Sequence, residues 1–336
     1  MSDSEVILAI SGLQSAFKSR SGSVRAVRNL NFNIGAGKTL ALVGESGSGK
    51  SVTSLAIMGL LPQAGYIAGG SVIYKNRSGE LIDLTQQNAA QMRKIRGREI
   101  AMIFQEPMTS LNPLFSIGDQ IGEMLLLHTD LNTAARQAKV IEMLELVEIP
   151  AAASRFHDYP HELSGGMRQR VMIAMAMILK PALLIADEPT TALDVTIQAQ
   201  ILDLMRRLQK ELNMAILFIT HDMGVVAEMA DEVAVMYAGE IVEQAPVQQL
   251  FKNPSHPYTQ GLLKSIPGAS GIIRSEDGKL QAIPGSIPML NAMPEGCSFG
   301  PRCASFTSGC ESSVEMKATD PLHWVRCRRT GENAYV

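Results

Sequence analysis

The 336-residue sequence has no apolar run near the roughly 18 residues that a membrane-spanning helix requires. Its longest such run, Val171 to Leu179, follows a basic segment and reads as a buried helix. The opening residues, Met1-Ser2-Asp3-Ser4-Glu5, lack the positive-then-apolar order of a secretory signal. Both absences lead us to expect a cytosolic chain whose membrane role, if any, comes through a partner. Net charge is only −3, which gives no electrostatic reason to expect nucleic acid. Cysteine is missing from the first 296 residues and then occurs four times, at Cys297, Cys303, Cys310 and Cys327. In a reducing compartment that clustering points to a metal or cluster site rather than to disulfides. A content of 46% hydrophobic and 19% charged residues is globular, and the length suits one large or two smaller domains.

Strand-like and helix-like patterns alternate along most of the chain. Val6 to Ile10 and Thr39 to Val43 read as strands, with a turn at Ser21-Gly22-Ser23. A helix from Lys50-Ser51 should run to about Leu61, stopped by Pro62. Residues 66–104 alternate strand-like and polar pieces and end in the strand Ile100 to Phe104. Residues 116–160 are helical in pattern. Another helix should begin at Gly166 and reach Lys180-Pro181, followed by the strand Leu183 to Asp187, a helix over Val195 to Leu212 and a strand over Ala215 to Ile219. This order predicts an α/β fold with a largely parallel sheet covered on both faces. Beyond residue 252 Pro, Gly and Ser become frequent, which divides the chain into 1–252 and a C-terminal extension, 253–336. There is no internal repeat.

Three segments carry chemistry. Gly44-Glu45-Ser46-Gly47-Ser48-Gly49-Lys50-Ser51 is a complete phosphate-binding loop between a strand and a helix. Its glycines let the backbone approach phosphate oxygens, and the helix directs N–H groups at them. We expect Gly44, Ser46, Gly47, Ser48, Gly49, Lys50, Ser51 and Val52 to bind nucleotide, with Lys50 neutralising the β- and γ-phosphates and Ser51 ligating Mg²⁺. Asp187 and Glu188 end a buried strand, where ligands collect in open α/β sheets. Asp187 should hold Mg²⁺ and Glu188 should orient or deprotonate the attacking water. Ser164-Gly165-Gly166, about twenty residues before that acidic pair, opens a helix and so offers a second anion-binding N-terminus.

Taken together, these segments resemble the ATP-binding cassette (ABC) family of ATPases. The resemblance spans residues 17 to 221 and implies a nucleotide-binding domain of the P-loop type: a RecA-like parallel-sheet core, an antiparallel β subdomain and a helical insert at about 106–165. It implies that Gln105, before Glu106-Pro107-Met108, reaches the metal and attacking water, and that His221 contacts the γ-phosphate. It further implies that Ser164, Gly165 and Gly166 complete a partner's ATP site, that Ala192-Leu193-Asp194 is the dimer-interface loop, and that Phe17 stacks on adenine. As an ordinary residue, Phe17 reads equally well as core.

The extension resembles a narrower group, the oligopeptide/dipeptide importer ATPases, through Asn253-Pro254, His256-Pro257-Tyr258-Thr259, Pro284-Gly285 and the residues around the four cysteines. That resemblance implies a [4Fe–4S] cluster on Cys297, Cys303, Cys310 and Cys327. Cysteine spacing alone, with neither a zinc knuckle nor the common ferredoxin runs, leaves zinc and reduced or disulfide-linked cysteines without metal open. The implied role is an ATP-hydrolysing subunit at the cytoplasmic face of a bacterial inner membrane, using ATP and Mg²⁺. Its implied partners are two permease subunits, a related ATPase as heterodimer mate and, indirectly, an extracytoplasmic peptide-binding protein; nucleic acid is not among them. Competing readings are an importer of nickel, glutathione or another small solute, a non-transport cassette protein, and an iron–sulphur sensor that merely binds nucleotide.

Overall fold

Between Leu30 and Ile34 apolar side chains alternate with asparagines. Leu30, Phe32 and Ile34 are buried, whereas Asn31 and Asn33 are exposed, as in a strand with one wet face. This strand, β2 (Gly22–Gly35), pairs antiparallel with β1 (Val6–Ser19). The computed structural model describes residues 5–20, 22–105, 110–191, 193–266 and 283–329. Strand β3 (Thr39–Val43) is buried throughout and feeds the loop before helix α1 (Lys50–Ile57). Strands β4 (Gly65–Lys75) and β5 (Leu81–Asp83) complete a four-stranded sheet ordered β2-β1-β4-β5.

Helix α2 (Ala89–Ile95) and strand β6 (Ile100–Ile103) precede a block of α3 (Ile117–His128), α4 (Thr133–Leu146) and the short α5 (Ala152–Arg155). The chain continues through α6 (Gly165–Met177), β7 (Leu183–Asp187), α7 (Val195–Leu212), β8 (Ala215–Thr220), α8 (Met223–Met229) and β9 (Glu232–Tyr237). Strand β10 (Glu240–Pro246), helices α9 (Val247–Lys252) and α10 (Pro257–Lys264), and the hairpin β11 (Lys317–Asp320) and β12 (His323–Val325) close the order.

The second sheet runs β11-β12-β10-β9-β3-β8-β7-β6. Its strands β6, β7, β8, β3 and β9 are parallel, and β10, β12 and β11 add antiparallel. Alternation along each central strand separates two cores. Leu183, Ile185, Leu217 and Ile219 face the four-stranded sheet, while Leu184, Ala186, Ile216 and Phe218 face α3, α4, α6 and α7. A third core lies at the other end of the large sheet. There Ala41, Val43, Val235 and Tyr237 meet Tyr258 and Phe299 of the extension.

The expected bounds of α7 match the structure to the residue. Helix α1 stops four residues short of the expected Leu61. Gly59 takes a left-handed φ of 60°, and the bonds Gly59 N–H to Ala56 O and Leu60 N–H to Leu55 O form a Schellman ending before Pro62 is reached. Among the described residues, no helix is long and apolar enough to cross a membrane.

Candidate functional site

The turn after β3 tolerates little besides glycine at its hinge. A Cβ on Gly44 would sit 2.2 Å from Met236 O, and one on Gly49 would sit 2.7 Å from Ala26 O. Gly49, with φ 106°, is the residue from which α1 starts. Lys50 follows, 5% exposed, and its Nζ donates to the carbonyls of Gly44 (2.7 Å) and Glu45 (3.1 Å). Burial lowers the Lys50 pKa, against the opposing charges of Glu188, Asp187 and Glu45. The ammonium is thus held on the loop it must serve.

Asp187 ends β7 at 2% exposure and accepts from Ser51 Oγ (3.2 Å) and Ser54 Oγ (3.1 Å). Burial raises its pKa, while the two hydroxyls pull the other way. One carboxylate beside a helix hydroxyl suits Mg²⁺, which keeps waters and shares its shell with phosphates instead of needing a protein cage. Ser51 and Asp187 therefore fit the expected metal site.

Glu188 has a left-handed φ of 49°, and its N–H donates to Ile219 O at 2.9 Å. Its carboxylate accepts from Thr191 Oγ1 (2.9 Å) and Gln105 Nε2 (3.3 Å) and lies 3.1 Å from His221 Nδ1. Burial pushes the carboxyl upward, but its hydrogen bonds with His221 and Thr191 and the positive charge of Lys50 outweigh it. The net pKa is lowered. Gln105, Glu188 and His221 are joined in one hydrogen-bonded group. Gln105 meets Glu188, not the Ser51–Asp187 pair.

Other expected residues stand apart. Ser164 is exposed, and its hydroxyl accepts from Met167 N–H (3.3 Å) to cap α6. Among the described residues, Ser164, Gly165 and Gly166 make no hydrogen bond to the loop or to Asp187 and Glu188. Asp194 caps α7 through Ile197 N–H at 2.9 Å. The half-buried Phe17 lies against Gly65, where an added Cβ would meet the ring at 3.0 Å. Glu106 to Met108 and Ala192 lie outside the described residues.

Sequence reasoning missed Ser54 and Thr191. Ser54, three residues after Ser51 on the same helical face, was open to detection; Thr191 carried no such signal. Gln169, also missed, ties α6 to Pro189 O just beyond Glu188.

In the extension, all four cysteines line one small cavity with His256, Phe299 and Phe306. Burial, followed by the neighbouring thiols, raises the pKa of Cys297, Cys303 and Cys327. Among the described residues no three His, Cys, Asp or Glu side chains are grouped to hold a single metal ion.

Residues 27–191 match the family described as ABC transporter, and residues 242–310 match the Oligopeptide/dipeptide transporter, C-terminal region. A Brucella ovis protein named as a peptide import ATP-binding protein is 52% identical over 332 residues, 98% of each chain. This chain belongs to the oligopeptide/dipeptide transporter family of ABC ATPases. The oligopeptide transport ATP-binding protein OppD of Bacillus subtilis is 52% identical to this ABC ATPase, over 95% of its chain and 88% of the relative. The glutathione import ATP-binding protein GsiA of Escherichia coli is 57% identical over 79% of the chain, which spans 43% of that relative. A dimeric ATP-binding cassette solved with ADP and phosphate covers 72% of the ABC ATPase and 99% of itself, with TM-score 0.63 and 26% identity. The enzyme therefore hydrolyses ATP on a cassette of known fold.

The lowered pKa of Glu188 gives a prediction with a definite sign. Its carboxylate stays ionised until pH falls through a value below the usual 4.5. Thr191→Val removes one of the lowering hydrogen bonds, so protonation should begin at higher pH. Carboxyl ¹³C shifts followed through an acid titration will read this, and an unmoved midpoint would show that Thr191 does not hold the carboxylate.

Proposed function

We propose that this chain powers uptake of di- and oligopeptides through partner permeases, with Glu188 as the base for water attack on ATP. The Gln105–Glu188–His221 group is the observation that carries the assignment, because an ionised, tethered carboxylate is what such a base requires. Lys50 and the loop amides bind the phosphates, and Ser51, Asp187 and Gln105 are the residues that would hold Mg²⁺, which would screen phosphate charge. Phe17 stacks on adenine. Ser164, Gly165 and Gly166 act on the nucleotide of a second, related ATPase, with Asp194 in the interface loop.

Peptide import is supported by the Brucella and Bacillus relatives, whose likeness covers the extension as well as the cassette. Glutathione, itself a small peptide, is the second reading, and the identity to GsiA favours it. Permease docking on the helical insert fits its exposed Leu114, Phe115, Leu126 and Leu127, beside a cavity of about 870 Å³. Such a subunit works at the cytoplasmic face of the bacterial inner membrane and is served indirectly by an extracytoplasmic binding protein. The division at residue 252 into cassette and extension belongs to the same reading.

We also infer that Cys297, Cys303, Cys310 and Cys327 hold a [4Fe–4S] cluster. All four cysteines, Cys310 buried and the other three half-buried, line one small cavity, and thiolates are the ligands such a cluster takes. Such a cluster would act as a staple for a segment with little regular structure.

Three measurements test these assignments. Glu188→Gln should retain Mg-ATP binding and lose turnover by about a hundredfold or more; normal hydrolysis would remove Glu188 from the role of base. Affinity purification from native membranes should recover two permeases, a sister ATPase and a peptide-binding protein, whereas ribosomes or DNA-repair proteins would contradict import. Anaerobically purified chain should carry about four irons, lost in the Cys297→Ser/Cys303→Ser double variant; iron unchanged by that variant would refute these ligands.

A further inference from the structure

Glu45, the second residue of the phosphate loop, is gripped from two places in the C-terminal extension. Arg302 forms a two-pronged ion pair with its carboxylate, Nη1 to Oε2 at 2.6 Å and Nη2 to Oε1 at 3.0 Å. The Glu45 N–H donates to Tyr258 Oη at 2.9 Å. Neither holder is free to wander. The Arg302 side chain is 4% exposed, its Nε donates to Pro284 O at 2.8 Å, and its guanidinium lies 5.8 Å from the Tyr237 ring centroid and 5.9 Å from that of Phe299. Tyr258 is fully buried against the same two rings. The one-turn helix carrying Arg302, Gly300–Arg302, is followed at once by Cys303, and its Gly300 N–H donates to Cys297 O at 2.9 Å.

A carboxylate next to a loop whose task is to gather phosphates opposes that task through like-charge repulsion. A fork-shaped guanidinium neutralises it, fixes its direction and leaves the loop amides facing the ligand. We propose that Arg302 and Tyr258 are positioning residues for the nucleotide site, by which the cysteine-bearing extension sets the shape and charge of the phosphate loop. The inference rests on the assignment of residues 44–51 as the phosphate site. It gives the extension a function in the cassette's own chemistry, separate from any contact with a membrane partner.

The test is Mg-ATP affinity and steady-state hydrolysis of the full chain, with Lys50→Ala as reference. Arg302→Met should weaken ATP binding on the order of tenfold, the scale of one lost charged hydrogen-bonding partner, and raise KM far more than it lowers kcat. Adding Glu45→Gln to Arg302→Met should recover most of that affinity, since the stranded charge is gone. A fold lost through damage to the extension would not recover this way, and melting temperatures of both variants identify that case. Unchanged affinity in Arg302→Met, or no recovery in the double variant, overturns the proposal. Unchanged affinity in Lys50→Ala would overturn it together with the phosphate-loop assignment.

Discussion

Lys50, Asp187 and Glu188 are withdrawn from water together, and the rest of the cassette is arranged round that constraint. At 5%, 2% and 7% exposure they would each carry a desolvation penalty of several kcal/mol if unpaired. Each finds hydrogen-bond partners: Lys50 donates to two carbonyls of its own loop, Asp187 accepts from two α1 hydroxyls, and Glu188 accepts from Thr191 and Gln105 and bonds with His221. These segments can meet because β3, β6, β7 and β8 are parallel, so their carboxyl ends share one edge of the sheet. The central strands are largely apolar, and the alternation along them buries one face against helices and the other against the antiparallel sheet.

What the sequence disclosed was local. The bounds of α7 were readable because Asp194 caps one end and the apolar positions Ile201, Leu204, Met205 and Leu208 keep helical spacing across the element. Nucleotide-site residues were readable because their spacing along the chain is itself a motif. Helix α2 was missed although Asn88-Ala89-Ala90-Gln91 spells a capping box, since only Met92 and Ile95 of its seven residues are buried. Strands β9 to β12 were not distinguished. The hairpin β11–β12 is short and β11 is exposed along its length, so no periodicity marks it. Nor does any local pattern announce Arg302 as the partner of Glu45, because that pairing exists only once the extension folds back.

The extension folds back because the large sheet would otherwise leave an apolar face open. Ala41 and Val43, which lead into the phosphate loop, point into the third core with Val233, Val235 and Tyr237. Tyr258 and Phe299 cover that face, their rings 4.8 and 5.2 Å from that of Tyr237 in edge-on contacts. Further out, the fully buried Glu243 accepts from the N–H groups of Ser255 and His256 and pairs with His323 at 2.7 Å, fastening α10 and the terminal hairpin to β10. A strand with one face in this core and the other in the cassette core cannot shift independently of either. The phosphate loop that it feeds thus takes its position from both parts of the chain. That is why a segment built on four cysteines, far from the acidic pair in sequence, belongs to the physics of the nucleotide site.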